Sequence, residues 1–283
     1  MESPSTKPNI ILFDIAFAPP FSKNTCAPNP WKARYALNFK DVTYSTQWVQ
    51  MPDITKTRKG LGVPPCRTLA DGTEYYTLPI VTDATTGSAI GDSFDIATHL
   101  QDTYPSSGAG DLFPSPIKLD YVCPIKMTSA TAPPLTKHND ERQRAEYARF
   151  NNEVDTAFTA HVGLMVGGMR WDPALEGGIK AEFVRRAGAK RWEDLLVLES
   201  EAREKLIGSL RETLRDLAAL YYDRTGPFLL GNQPSYADII VGGWLRFASK
   251  TLLEGEWTEI QGWYDGVFGT LHDALQERFG MVR

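Results

Sequence analysis

The sequence has few of the residues that build metal centres, disulfide frameworks or nucleic-acid surfaces. Its 283 residues include only four histidines and three cysteines, Cys26, Cys66 and Cys123, and none of them stands in a metal-ligand or CxxC spacing. An odd number of cysteines without such spacing predicts free thiols in a reducing compartment. The formal net charge is −5 and no basic block occurs, which argues against a nucleic-acid partner.

The sequence also lacks a hydrophobic run long enough to cross a bilayer. The apolar stretch at 10–18 carries Asp14 in its middle, has no basic segment before it, and is followed by Pro19 and Pro20. These features argue against a secretory signal peptide and favour a buried strand. We therefore expect a cytoplasmic protein with no membrane partner.

What is present is an ordinary globular composition, with 42% hydrophobic and 23% charged residues, and a change of pattern near residue 105. The first part predicts strand, helix, strand, helix, hairpin and helix, in that order. Such an order gives a small mixed sheet of four strands covered by helices. The predicted elements are strands at 9–16 and 43–49, hairpin strands at 75–81 and 88–90, and helices at 31–40, 53–59 and 92–104.

The second part reads as helical. Long helical patterns cover 141–169 and 199–222, and Ser235 with Asp238 resembles a capping box at the start of another helix. Gly242 and Gly243 inside that helix indicate a close approach of two helices, and 128–139 is expected to be an exposed loop. The predicted fold is α+β, with a first domain at 1–104, a Pro/Gly/Ser-rich linker at 105–116 and an all-helical domain at 117–283.

Two short motifs carry the chemistry. Pro79 stands just before a short strand, and a cis peptide bond there would leave the backbone of Leu78 free to pair with a peptide-like ligand. Asp92 and Ser93, one hairpin later, open a helix and offer free N–H groups, a hydroxyl and a carboxylate. That set suits the doubly charged end of an amino acid.

These motifs, after a β-α-β start, resemble the glutathione site of the glutathione S-transferase superfamily. The stretch from Gly226 to Gly231, leading into Ser235-Tyr-Ala-Asp238, is similar to the motif that caps a helix of the family's second domain. The fungal etherase-like (fungal-specific A) class is the closest resemblance, carried by segments at 31–40, 48–49, 52–54 and 263–266. The resemblance runs from about Ile10 to Phe279.

The resemblance implies a thioredoxin-like first domain that binds glutathione, an all-helical second domain that binds a hydrophobic substrate, and a homodimer. Leu78, before Pro79, would pair its backbone with the cysteinyl part of glutathione, and Asp92 with Ser93 would hold the γ-glutamyl end. Lys59 is a candidate for the glycyl carboxylate. No metal is implied.

The sequence leaves open which group activates the glutathione thiol, because Ala27 stands where the fungal class typically has serine. Asn29 is the first candidate, since a related fungal class uses the asparagine of the same Pro-Asn-x-x-Lys spacing. Ser22 is the second, if 26–30 is an insertion. Cys26 is the third, and would act through a mixed disulfide as in thiol reductases.

The substrate site is expected in the helical half, where Trp31, His161 and Met165 are candidate contacts. The resulting hypothesis is a glutathione-dependent transferase-like enzyme that acts on a small hydrophobic electrophile through a hydrogen-bonded thiolate. Two alternatives stay open. One is a glutathione-dependent cis-trans isomerase of fungal secondary metabolism, working by reversible thiol addition. The other is a non-catalytic protein that binds glutathione or another ligand.

Overall fold

The first part of the chain folds around a mixed sheet of four strands, in a computed structural model that describes residues 9–68, 72–126, 144–222 and 224–283. The strand order is β2-β1-β5-β6, with β1 parallel to β2 and the other neighbours antiparallel. The elements are β1 (Ile10–Ile15), α1 (Phe21–Asn24), α2 (Pro28–Phe39), β2 (Tyr44–Val49), α3 (Ile54–Gly60), β3 (Arg67–Thr68), β4 (Glu74–Tyr75), β5 (Ile80–Asp83), β6 (Ser88–Gly91) and α4 (Ser93–Thr103). The expected thioredoxin-like arrangement is confirmed.

The predicted strand at 75–81 is wrong in its first half. Tyr75 belongs to β4, which pairs with β3 in a separate small sheet, and only the residues after Pro79 join the main sheet. The Leu78–Pro79 peptide bond is cis, as expected from the sequence. Because proline has no N–H to donate, it ends the pairing that a continuous strand would need.

The second part is helical. Its elements are α5 (Ala145–Thr159), α6 (Gly163–Val166), α7 (Glu176–Ala187), α8 (Ser200–Ala219), α9 (Tyr236–Thr251) and α10 (Glu254–Phe279). None of the helices in the described part of the chain is long and apolar enough to span a membrane. The loop expected at 128–139 lies outside the described residues.

The long helix expected at 141–169 is two helices, α5 and α6. At His161 the backbone N–H donates to the carbonyl of Phe158, three residues back, and not to the carbonyl four residues back as in an α-helix. The ring Nδ1 of His161 lies 2.7 Å from the carbonyl oxygen of Ala157. Gly163, directly after the break, lowers helix propensity. Helix α7 was not predicted from the sequence, because Gly177 and Gly178 weaken its signal and Ile179 is its only buried residue.

Helices α2 and α9 form the centre of the molecule, where the two halves of the chain meet. Nearly all of α2 after Asn29 is buried, against β1, α4, α9 and α10. The predicted close approach at Gly242 and Gly243 is confirmed: a Cβ added at Gly243 would lie 2.7 Å from the Pro28 carbonyl oxygen. The predicted capping box is also present, with Ser235 N–H donating to the Asp238 carboxylate at 2.8 Å.

Helix α10 contains a left-handed turn. Tyr264, Asp265 and Gly266 have φ values of 55°, 59° and 80°, and the helical path breaks there. The preceding Trp263 is buried, so the break turns its ring into the core. Left-handed φ is unfavourable for residues with a side chain, which makes this turn a strained segment.

Candidate functional site

A polar cavity of about 180 Å³ lies between the Leu78–Pro79 turn, the start of α4 and the middle of α5. Within the described chain, no hydrogen bond uses the Leu78 backbone N–H or C=O. Since backbone groups seek partners, an extended peptide lying beside Leu78 would meet one free donor and one free acceptor. The cavity is lined by Asn29, Tyr75, Thr77, Leu78, Pro79, Asp92, Ser93, Phe94, Asn151 and Asp155.

The start of α4 is fixed by a buried arginine. Asp92 precedes the helix with a left-handed φ of 69°, an uncommon conformation for a non-glycine residue that tends to mark functional sites. Arg58 donates to the Asp92 carboxylate at 3.1 Å and to the Thr77 carbonyl at 2.9 Å. The Cys66 thiol donates to the same carboxylate at 3.2 Å, and burial raises the pKa of this thiol to about 11. The Ser93 side chain and the backbone of Ser93 and Phe94 therefore border the cavity in a fixed position.

An apolar cavity of about 300 Å³ adjoins the polar one. Phe17 and Trp171 stack in its wall with ring centroids 4.7 Å apart. Four residues border both cavities, namely Asn29, Tyr75, Thr77 and Leu78. Among the three candidate activators, only Asn29 stands at this junction, where a polar ligand and an apolar one would meet.

The loop before α2 holds Asn29 in place. The Thr25 hydroxyl donates to the Asp14 carboxylate at 2.9 Å, and the Trp31 indole donates to the Thr25 carbonyl at 2.9 Å. Asp14 is itself fully buried and ion-paired to Arg34 at 2.7 Å. These bonds anchor both sides of the loop, so that the half-buried Asn29 sits in the first turn of α2, near the positive end of the helix dipole.

A buried polar network links the two cavities. The ammonium of Lys32, one turn after Asn29, pairs with Asp155 and donates to the Asn151 side chain at 2.9 Å. The Trp244 indole donates to the same Asp155 oxygen at 2.6 Å and stacks on Phe158 at 5.3 Å. Asp155 lines the polar cavity and Trp244 lines the apolar one. One carboxylate thus positions side chains on both sides of the junction.

Ser22 and Cys26 do not line either cavity. Ser22 is exposed on α1, on the surface of the molecule. Cys26 is buried and faces a different cavity, lined by residues such as Arg170 and Lys250, and burial raises the pKa of its thiol. A buried thiol with a raised pKa is a poor nucleophile. Of the three candidate activators, the structure brings only Asn29 to the site beside Leu78.

The candidate cation Lys59 is also separate from the cavities. Its side chain is 57% exposed and pairs with Glu74 at 3.2 Å. In the described ranges, no group of three or more His, Cys, Asp or Glu side chains is arranged to hold a metal ion.

The three candidate substrate contacts are core residues. Trp31 is fully buried against Thr25, and Met165 is buried in the helical half. His161 is 1% exposed, with its Nε2 3.0 Å from the Ser209 hydroxyl, and burial lowers its pKa. None of the three lines the apolar cavity. Val162 and Met169, their neighbours in sequence, do so instead.

Two family models match this chain. The N-terminal domain of glutathione S-transferases matches residues 27–103, and the C-terminal domain matches residues 180–278. Together the two matches cover more than half of the sequence. The chain belongs to the glutathione S-transferase superfamily.

Three similar proteins come from fungi. A glutathione S-transferase-like protein, ustS of Aspergillus flavus, is 28% identical over 94% of this chain and 89% of its own length. The crystal structure of a Ceriporiopsis subvermispora glutathione S-transferase in complex with glutathione is 29% identical, with a TM-score of 0.75, and the match covers 97% of this chain and 98% of that one. Glutathione transferase GSTFuA2 of Phanerochaete chrysosporium is 25% identical with a TM-score of 0.72, over 97% and 99% of the two chains.

The sequence analysis did not identify most of the residues that line the apolar cavity of this glutathione S-transferase. Trp244 and Phe247 come from α9, whereas Trp171 and Phe183 come from an earlier part of the chain, and each pattern alone reads as ordinary core. It also missed Arg186, which lines the apolar cavity from α7. The only sequence signal for this arginine was Glu182, four residues before it and therefore a possible partner on one helix. That helix, α7, was not predicted, because Gly177 and Gly178 weaken its signal.

Proposed function

We propose that this chain binds glutathione in the polar cavity and directs its thiol at a hydrophobic electrophile in the apolar cavity. The observation that carries the proposal is the position of Asn29 and Leu78, which border both cavities. The similarity to a fungal transferase that was crystallised in complex with glutathione supports glutathione as the peptide bound in the polar cavity.

The residues of the polar cavity fit the tripeptide at two points. The unpaired N–H and C=O of Leu78 suit the cysteinyl peptide group, which would pair with them as an added strand does. Asp92, the Ser93 hydroxyl and the backbone N–H groups of Ser93 and Phe94 offer both an acceptor for an ammonium and donors for a carboxylate. The γ-glutamyl end of glutathione carries both of these groups.

Asn29 is the proposed thiol activator. When bound, glutathione supplies a sulfur nucleophile that is reactive only as the thiolate, and a free thiol has a pKa of about 8.5. The Asn29 amide N–H can donate to the thiolate, and the α2 N-terminus adds a partial positive charge. Ala27 lines the apolar cavity together with Asn29, but its side chain has no hydrogen-bond donor.

The second substrate is expected to be apolar and of limited size. Phe17, Trp171, Trp244 and Phe247 give the cavity wide aromatic walls, and its volume is about 300 Å³. Aromatic walls and a single polar edge select for hydrophobic ligands held by dispersion and burial. The reaction class that fits is displacement of a leaving group from such an electrophile by the thiolate.

The test is the pH dependence of kcat/KM with glutathione and a generic aromatic electrophile, for wild type and Asn29→Ala. A hydrogen bond to a charged group contributes about 1.5–3 kcal/mol, so we expect about a 10- to 100-fold loss at pH 7 that recovers at high pH. Ser22→Ala is the control, because Ser22 is exposed and off the site. An Asn29→Ala profile identical to wild type would contradict activation by Asn29 and favour a ligand-binding protein.

A further inference from the structure

Arg186 is the one charged side chain among the described residues that line the apolar cavity. It enters the cavity from α7, beside Phe183 and Ala187, and its side chain is 9% exposed. No carboxylate stands among the described lining residues. Because a charge is costly to bury among apolar groups unless it is compensated, the partners of this guanidinium indicate what the cavity accepts.

The protein pairs two of the three nitrogens of the guanidinium. Nε of Arg186 donates to the Glu182 carboxylate at 2.8 Å, and Nη1 donates to the Tyr76 carbonyl at 2.6 Å. The guanidinium carbon lies 5.5 Å from the centroid of the Tyr75 ring. Nη2 makes no hydrogen bond within the described part of the chain. Nε and Nη1 therefore fix the group in place, and Nη2 is left as a donor for a ligand.

The positive charge of Arg186 is only partly balanced. Glu182 accepts hydrogen bonds from both Arg185 and Arg186, each at 2.8 Å. The hydrogen bonds from Arg185 and Arg186 lower the pKa of the Glu182 carboxyl, so this group is ionised at neutral pH. One negative charge thus serves two guanidinium groups. The surplus positive charge is felt most at Arg186, since Arg185 is 55% exposed and its charge is screened by water.

We propose that Arg186 makes this protein selective for a hydrophobic electrophile that carries one carboxylate, an inference that rests on the proposed function and names its substrate class. A neutral electrophile that fills the cavity excludes water from Arg186 and leaves Nη2 unpaired, which costs binding free energy. A carboxylate accepts from Nη2 and balances the surplus charge. The aromatic wall, which includes Phe17 and Trp171, contacts the rest of the molecule.

A purely structural role of Arg186 is the competing explanation. The Tyr76 carbonyl belongs to the first domain, and α7 also packs on the 3₁₀ turn Met51–Asp53 of that domain. Arg186 therefore ties the two halves of the chain together. That role uses Nε and Nη1 and is indifferent to the charge of the electrophile. The two explanations differ in whether a change at Arg186 affects anionic and neutral electrophiles equally.

The experiment compares chlorodinitrobenzoate with its methyl ester, which has the same ring and the same leaving group. In both reactions the glutathione sulfur forms a C–S bond, the C–Cl bond breaks, chloride leaves and the thiol proton passes to solvent. Each kcat/KM, measured at saturating glutathione, is divided by the rate constant of the uncatalysed reaction. We expect wild type to prefer the carboxylate, and Arg186→Gln to lower kcat/KM for the carboxylate about 10- to 100-fold while leaving the ester unchanged.

Two further variants accompany Arg186→Gln. Arg186→Lys keeps the charge and should retain part of the preference for the carboxylate. Arg185→Gln is the matched control, because Arg185 shares Glu182 but does not line the cavity, and it should behave as wild type with both electrophiles. Calorimetry with dinitrobenzoate and its methyl ester, which have no chloride to displace, measures the same preference in binding alone.

The inference is overturned if wild type shows no preference for the carboxylate. It is also overturned if Arg186→Gln lowers kcat/KM for both electrophiles to the same extent, as loss of a purely structural contact would. Failure of the proposed function gives a different result. Wild type that converts neither electrophile faster than the uncatalysed reaction would refute that function, whereas the calorimetry would still decide whether Arg186 selects a carboxylate.

Discussion

Replacing Asp155 by asparagine isolates the charge that joins the two cavities. Asparagine keeps the shape of the side chain and can still accept from the Trp244 indole, but it removes the counter-charge of Lys32. That ammonium is fully buried, with Asp155 as its ion-pair partner and Asn151 as its other hydrogen-bond partner. Removing one partner of a buried pair leaves an uncompensated charge, at a cost of about 3–5 kcal/mol.

The stability that Asp155→Asn loses should depend on pH, and the direction of that dependence follows from the pKa of Lys32. Burial lowers the pKa of Lys32 in the folded protein, and the Asp155 charge opposes that shift. In Asp155→Asn the pKa falls further below the unfolded value of about 10.4. Between these two values the unfolded chain binds one proton more than the folded chain, so stability rises with pH by up to about 1.4 kcal/mol per unit. The deficit against wild type is therefore largest at low pH and shrinks toward pH 10.

The assay is equilibrium urea unfolding of wild type and Asp155→Asn at several pH values from 7 to 9.5. The double variant Lys32→Gln/Asp155→Asn is the control, since it removes both charges and should recover most of the lost stability. A deficit that stays constant across this range and persists in the double variant would refute the argument. It would mean that the network stabilises the fold through packing and not through charge.

Two other substitutions test the helix contacts. Gly243→Ala places a Cβ 2.7 Å from the Pro28 carbonyl oxygen and should lower both thiol activity and stability, the latter by about 1–3 kcal/mol, as urea unfolding and turnover will measure. Its control is Gly255→Ala, where no heavy atom lies within 4 Å, and an equal loss there would contradict the close-approach argument. Asp265→Gly should stabilise the left-handed turn of α10 by about 0.5–1 kcal/mol in urea unfolding. The control is Glu277→Gly in the regular part of α10, which should lower the free energy of unfolding by about the same amount. If Asp265→Gly is less stable than wild type, the turn is not strained.

The features that sequence predicted well are set by local chemistry. Pro79 and Ser235 act through the backbone of their immediate neighbours, so the cis bond and the capping box could be inferred from a few residues. The apolar run of β1 and the breaks at glycine and proline predicted the order of the elements along the first part of the chain for the same reason.

The features that sequence predicted poorly depend on which segments meet in space. Trp31 and His161 lie on the expected elements, yet they face the core, because the helix rotation that aims a side chain is set by packing with distant elements. Lys59 was a candidate by its place in the chain, and the fold leaves its side chain exposed and paired with Glu74. Arg186 reaches the apolar cavity from a helix more than a hundred residues later. Only the folded chain brings Tyr76 and Arg186 together.

The most direct test of the account is a crystal structure of the protein with reduced glutathione. We expect the sulfur within hydrogen-bond distance of the Asn29 side-chain nitrogen, the cysteinyl group paired with Leu78, and the γ-glutamyl end at Asp92 and Ser93. A sulfur that faces only Ala27 and the aromatic wall, or a peptide bound elsewhere, would contradict the proposed site.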